Sequence, residues 1–97
     1  MAKEPAVYIL TNKFKGTLYV GVTSDLMARM AQHHHGHGSE FVAKYNLSRL
    51  VHVEFFPSMP EAIRREKLLK RWRREWKIKL ISENNPDWLD LIEKYHH

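Results

Sequence analysis

Two short runs of β-branched and aromatic residues, Val7 to Leu10 and Leu18 to Val22, flank six residues with turn chemistry, Thr11-Asn12-Lys13-Phe14-Lys15-Gly16. The pattern predicts a β-hairpin. Pairing Leu10 with Thr17 sets Val7 opposite Val20, Ile9 opposite Leu18 and Tyr8 opposite Tyr19. Strand alternation then sends those four aliphatic side chains to one face and both tyrosines to the other. Gly21 falls on the tyrosine face and leaves bare backbone beside Tyr19. Two phenols and a missing side chain on one face describe a shallow pocket.

Helical signals follow. Thr23-Ser24-Asp25 is an N-cap cluster for a helix over Ser24 to His34, on which Arg29 and His33, four apart, share a face. Glycines at 36 and 38 end it, and Phe41 to Tyr45 reads as a further helical turn. Leu50 to Phe56 alternates and is expected to form a third strand, stopped by Pro57 and Pro60. Ser58-Met59-Pro60-Glu61 is a capping box opening a long helix. At about 100° per residue, Ala62, Leu69, Trp72 and Trp76 form its apolar stripe, with Ile63 at the edge. A break is expected near Arg73 to Trp76, where Ile78, Leu80 and Ile81 start a new phase. Pro86 is placed at the first position of a last helix over Asp87 to Lys94. The 97 residues fit one domain, 1–97.

Charge is concentrated on the long helix. The chain nets +5, yet Arg64 to Lys79 holds nine cations and only two acids, so the remainder is slightly acidic. Arg65, Lys70, Arg71, Arg73, Arg74 and Lys77 are the candidate nucleic-acid contacts, since such a field attracts polyanions. A solvated helix face is the plainer alternative for a charge run. The absence of cysteine excludes disulfide scaffolds, iron–sulfur sites and thiolate zinc fingers. No apolar run approaches the ~20 residues of a membrane span, and the N-terminus has no signal-peptide character, so a cytoplasmic location is expected. His96 and His97 are set aside as native residues or tag remnants.

Glu66 lies inside the apolar arc of the basic helix, between Ile63 and Leu69. A carboxylate there is costly unless it is paired, with Lys70 or Arg29, or holds a metal. The histidines at 33, 34, 35 and 37 cannot all converge on one ion, and only His33 shares a face with Arg29. Tyr8, Tyr19, Arg29 and Glu66 together supply what phosphodiester cleavage needs. That is a proton acceptor for water, a hard ligand for a metal, and a cation for the phosphate. A phenol serves as base only if a neighbouring metal, lysine or arginine lowers its pKa from about 10.

Val7-Tyr8-Ile9 followed by Tyr19-Val20-Gly21 resembles the two half-motifs of the GIY-YIG nuclease superfamily. The spacings agree, with Tyr19 eleven positions after Tyr8, Arg29 ten further on and His33 four beyond that. Ala62 to Trp72, with Arg65-Glu66 and Leu69-Lys70-Arg71-Trp72, is similar to the metal-glutamate helix of the small single-domain branch, related to excinuclease and homing-endonuclease domains. Lys77-Ile78-Lys79-Leu80-Ile81 and Asn85-Pro86-Asp87-Trp88 also resemble that branch, so the likeness runs from about Pro5 to Leu91. Val7 stands where the family name has glycine, and Asn84 or Asn85 would answer to an asparagine that some relatives place after the helix.

The resemblance implies an α+β fold, a three-stranded antiparallel sheet flanked by helices. It also implies a hydrolase, a DNA endonuclease or nickase in repair or recombination, working with Mg²⁺ or Mn²⁺. Glu66 would hold the metal, Arg29 the scissile phosphate, and Tyr8 and Tyr19 would orient or deprotonate water, with Tyr19 the favoured base. His33 would support proton transfer, and Tyr45 matches a position near the phosphate. DNA is the expected partner, with RNA the other candidate, and a repair complex is a further one. The alternative from another class is a non-catalytic nucleic-acid-binding module of the same fold.

Overall fold

A computed structural model describes residues 4–95 of the chain. The order of elements is β1 (Ala6–Thr11), β2 (Leu18–Thr23), α1 (Leu26–His34), α2 (Glu40–Tyr45), β3 (Arg49–Phe55), α3 (Met59–Arg71), α4 (Arg74–Asn84) and α5 (Ile92–Tyr95). The sheet is antiparallel in the order β2-β1-β3, so β1 is central and β2 is an edge. The α+β architecture with three antiparallel strands agrees with the sequence expectation.

The hairpin register differs from expectation by two residues. Tyr8 pairs with Gly21, Leu10 with Tyr19 and Ile9 with Val20. Asn12 Oδ1 accepts from Thr17 N–H at 3.1 Å, and Lys15 takes a left-handed φ of 54°. The loop thereby closes one residue further along the chain on each side, at Thr11 and Leu18. A slip of two keeps every side chain on its face, so the two-face reading survives.

The sheet's two faces carry two cores. Val7, Ile9, Val20 and Val51 pack with Ala62, Leu69, Ile81 and Trp88. Tyr8, Leu10 and Leu50 pack with Leu26, Met30, Val42 and Leu47. A bulge in β3 opposite the Ile9–Leu10 step leaves Val51 without a partner in register and brings it into the first core. Three helices start where a side chain caps them: Asp25 accepts from Ala28 N–H, Ser39 from Val42 N–H and Ser58 from Glu61 N–H. The first helix therefore begins at Leu26 rather than Ser24.

The expected stripe of α3 is only half buried. Ala62 and Leu69 are fully covered, but the chain breaks at Trp72 and Arg73, both extended, and α4 leaves in a new direction. Trp76 is consequently exposed, as is Ile63. The last helix also departs from expectation. Trp88 adopts φ 54° with its side chain fully buried, which ends any helix through Asp87, and α5 begins at Ile92. Asn85 holds this turn: its amide donates to Val51 O and Leu89 O, and its Oδ1 accepts from Leu89 N–H. Asn85, one of the two asparagines the resemblance named, is thus committed to holding this turn. His96 and His97 lie outside the described residues.

An ion cluster ties β3 to α3. Glu54 accepts from Arg65 through both oxygens, at 2.8 and 3.1 Å, and from His52 Nε2 at 2.7 Å. Burial alone would raise the Glu54 pKa, but the His52 and Arg65 hydrogen bonds and charges outweigh it and hold the carboxyl at about 2. The unfolded carboxyl titrates near its ordinary 4.5. The cluster's contribution is therefore complete above that value and is lost as pH falls towards 2. Glu54→Gln is expected to cost about 1–3 kcal/mol at neutral pH. Chemical denaturation at pH 7 and pH 3 checks it, and the gap between variant and parent should narrow at the lower pH.

Candidate active site

The site is built at the β2 edge because Gly21 has no side chain. A β-carbon there would lie 2.4 Å from both Cζ and the hydroxyl oxygen of Tyr8. The Tyr8 ring therefore lies across the edge strand in the space a Gly21 side chain would fill. Its hydroxyl meets His33 Nε2 on α1 at 2.9 Å. Tyr19, on the same face, completes a triangle of rings, 6.3 Å from Tyr8 and 5.8 Å from His33.

His33 is itself held by a missing side chain. A β-carbon on Gly38 would lie 2.4 Å from His33 Nδ1, so the Gly36-His37-Gly38 turn closes directly over the imidazole. His34, His35 and His37 are exposed instead. Gly38 was not among the candidates from sequence. The only signal for it was the Gly-x-Gly spacing after the histidine run, which reads equally as a helix stop.

Arg29 comes from the same face of α1 as His33. Its charge opposes the rise in the Tyr8 pKa, and one guanidinium nitrogen donates to Gln32 at 3.1 Å. Among the described residues no hydrogen-bond partner meets its buried Nε, nor His33 Nδ1. Buried polar atoms are rarely left unpaired, and such an atom in a pocket fits a ligand that completes it. For a guanidinium that ligand is an oxyanion.

Glu66 reaches the group from α3, which packs across β2 and β1. Its side chain is only 12% exposed, and one carboxylate oxygen meets Lys70 Nζ at 2.8 Å. Its charge is near enough to raise the Tyr8 pKa. The ion-pair alternative for Glu66 is thus present in the fold, with the more exposed Lys70 as partner. A single largely buried carboxylate with an exposed, displaceable counter-ion fits a hard cation that keeps most of its water, as Mg²⁺ does. Among the described residues no three histidine, aspartate or glutamate side chains converge as an all-protein cage.

Electrostatics separates Tyr8 from the imidazole. Burial chiefly, then Tyr19, pushes the Tyr8 pKa well above that of an ordinary phenol, so Tyr8 is a neutral hydroxyl at physiological pH. Burial and the neighbouring Arg29 and His34 lower the His33 pKa below 6.5. A neutral His33 Nε2 can accept the Tyr8 proton in their hydrogen bond.

Tyr8, Tyr19, Arg29 and His33 are brought together, with Glu66 near enough for its charge to act on Tyr8. Tyr45 is not in that group; its ring meets Phe41 at 4.8 Å, and Phe41 in turn stacks on Tyr19 at 6.2 Å. The basic residues divide. Arg65 pairs with Glu54 and lies over the Trp72 ring at 5.2 Å. Arg74 donates to the hairpin carbonyls of Lys15 and Gly16. Burial, Arg74 and Lys70 lower the Lys77 pKa, so Lys70, Arg74 and Lys77 form one cationic cluster beside Thr17 and Leu18. Arg71 and Arg73 are exposed, the latter near Glu75 at 3.8 Å.

The paired tyrosines over a glycine, with arginine and histidine on the next helix and glutamate on the third, match a described family. Residues 4–79 match the family model for the GIY-YIG catalytic domain. The chain belongs to the GIY-YIG family. This GIY-YIG domain is 40% identical over 83 residues to a UPF0213 protein of Staphylococcus haemolyticus, covering 86% of this chain and 99% of the relative. It is 36% identical over 77 residues to a UPF0213 protein of Staphylococcus saprophyticus, covering 79% and 93%. The solution structure of a UPF0213 protein from Bacillus halodurans superposes with a TM-score of 0.57 at 30% identity, covering 97% of this chain and 99% of that one. GIY-YIG is a nuclease family, and the names of these relatives add no activity to it. No helix among the described residues is long and apolar enough to cross a membrane.

Proposed function

We propose that this GIY-YIG domain is a divalent-metal-dependent endonuclease that hydrolyses phosphodiester bonds of DNA, with DNA repair or recombination as its setting. The observation that carries the reading is the buried Arg29 Nε, which has no hydrogen-bond partner among the described residues, beside two phenols and a neutral histidine. It is a site for an oxyanion with proton-transfer groups in reach.

Arg29 binds the scissile phosphate and takes up its developing charge. Tyr8, neutral and hydrogen-bonded to His33, fixes the geometry and carries no charge of its own. Tyr19, once its own phenol proton has left, is the group that takes the proton from the attacking water, and His33, hydrogen-bonded to Tyr8, supports the transfer. Glu66 would hold Mg²⁺ or Mn²⁺, which when bound polarises the phosphate. Lys70, Arg71, Arg73, Arg74 and Lys77 supply backbone affinity that is sequence-tolerant and falls steeply with salt.

Labelled single-stranded, duplex and branched DNA and RNA, incubated with Mg²⁺ or Mn²⁺, test the substrate class. DNA product in metal, weakening as salt rises, is the expected outcome, whereas cleavage of RNA alone would contradict the DNA assignment.

The His33 shift gives a pH dependence. With the folded pKa below 6.5, the neutral imidazole and its stabilising effect are complete above that value. Both are lost as pH falls through the depressed folded pKa, because protonation turns Nε2 into a donor and adds a charge beside Arg29. The acid limb of the cleavage profile is expected below pH 6.5 and should disappear in His33→Asn, whatever its residual rate.

A further inference from the structure

We propose that Phe41, with Tyr45, is a stacking platform for an unpaired nucleobase next to the phosphate held by Arg29. The inference rests on the nuclease reading of the site and adds how the strand is presented to it. Helix α2 buries only Val42, yet places Phe41 and Tyr45, four residues apart, side by side on its outer face. The two rings are 43% and 42% exposed. They continue the catalytic ring cluster outward: Tyr8 to Tyr19 at 6.3 Å, Tyr19 to Phe41 at 6.2 Å with planes 28° apart, then Phe41 to Tyr45 at 4.8 Å.

A row of rings running from the buried phenol to solvent matches a nucleotide strand whose phosphate sits at Arg29 and whose base lies against α2. Lys44 Nζ, 5.4 Å from the Tyr45 ring, puts a cation where the adjoining phosphate would pass. Base pairs in a duplex are covered on both faces by their neighbours, so only an unpaired base offers a face to such a platform. The arrangement therefore favours substrates that are single-stranded or frayed at the cleaved bond. Every base has a π-face, so the platform carries little sequence preference.

Binding of short oligonucleotides to the Glu66→Gln protein tests this without cleavage. Adding Phe41→Ala or Phe41→Leu is expected to weaken single-strand binding by roughly 5- to 150-fold, and Phe41→Trp should restore it. Duplex affinity should be unchanged, which also reports that the variants are folded. A strand with abasic residues at its centre should bind parent and Phe41→Leu proteins alike.

Unaltered single-strand affinity in Phe41→Ala would overturn the proposal, and is the outcome expected if a protein segment occupies these rings instead. An equal loss on abasic or duplex DNA would overturn it too, because the contact would then not be to a free base. Failure of the parent protein to bind any nucleic acid would instead remove the nuclease reading, and the platform with it.

Discussion

Glu66→Gln is expected to lower nicking of supercoiled plasmid in Mg²⁺ by at least roughly 100-fold while leaving DNA binding nearly intact. Glutamine has the size and shape of glutamate, so the packing of α3 between Ala62 and Leu69 is preserved. It lacks the charge that a hard cation requires. The Lys70 pair is lost, but Lys70 is half exposed, so thermal stability should change by less than about 1 kcal/mol. Kinetics, gel shift and a melting curve on one preparation separate the three effects. Undiminished nicking would remove Glu66 from the chemistry.

The second large effect is at a residue with no side chain. Gly21→Ala would place a β-carbon 2.4 Å from the Tyr8 ring and hydroxyl. Tyr8 is fully buried in the second core, so the ring cannot swing into solvent, and the clash is relieved only by moving β2 or displacing the phenol. A destabilisation of about 1–3 kcal/mol is expected from overpacking of this kind. Loss of the Tyr8–His33 hydrogen bond should lower cleavage by about 100-fold or more, since misplacement of about 1 Å can cost that much. Thermal melting together with plasmid nicking checks it. Gly21→Ala with a wild-type rate would mean that Tyr8 has no fixed catalytic position. Tyr8→Phe keeps the fold and removes only the hydroxyl, separating the chemical from the steric effect.

Much of the site was legible because it depends on face rather than register. Tyr8, Tyr19 and Gly21 share a face under any even shift of the hairpin, so a two-residue error in pairing kept them together, although the Tyr8 ring fills the space beside Gly21 that had read as a shallow pocket. Arg29 and His33 share a face of α1 by helical spacing alone, and Glu66 stood out as an acid on the packed side of a basic helix. Register itself was not legible, because it turns on the Asn12 side chain and the left-handed Lys15. The exposure of Trp76 was hidden for a similar reason. A break was expected near Arg73 to Trp76, but the apolar stripe was still carried through Trp76, and the extended Trp72–Arg73 pair ends the helix before that residue.

Roles set by distant partners were the least accessible. Arg65 looks like its cationic neighbours in sequence, but Glu54, eleven residues earlier, claims it in the fold. Gly38 and Phe41 gain meaning only once α1 and α2 are placed against the tyrosines. Nothing in a single sequence marks a glycine as the cradle of a histidine, or an exposed phenylalanine as the ring stacked on Tyr19.

The central claim is that the Tyr8, Tyr19, Arg29, His33 and Glu66 site cleaves phosphodiester bonds with a divalent metal. Incubating the purified protein with supercoiled plasmid, with Mg²⁺ and with the metal chelated, tests it most directly. Open-circular product that appears with Mg²⁺, stops on chelation and is absent for Tyr19→Phe is the expected result. Plasmid that is shifted on a gel but never nicked, at any concentration of Mg²⁺ or Mn²⁺, would contradict it and leave a nucleic-acid-binding module of the same fold.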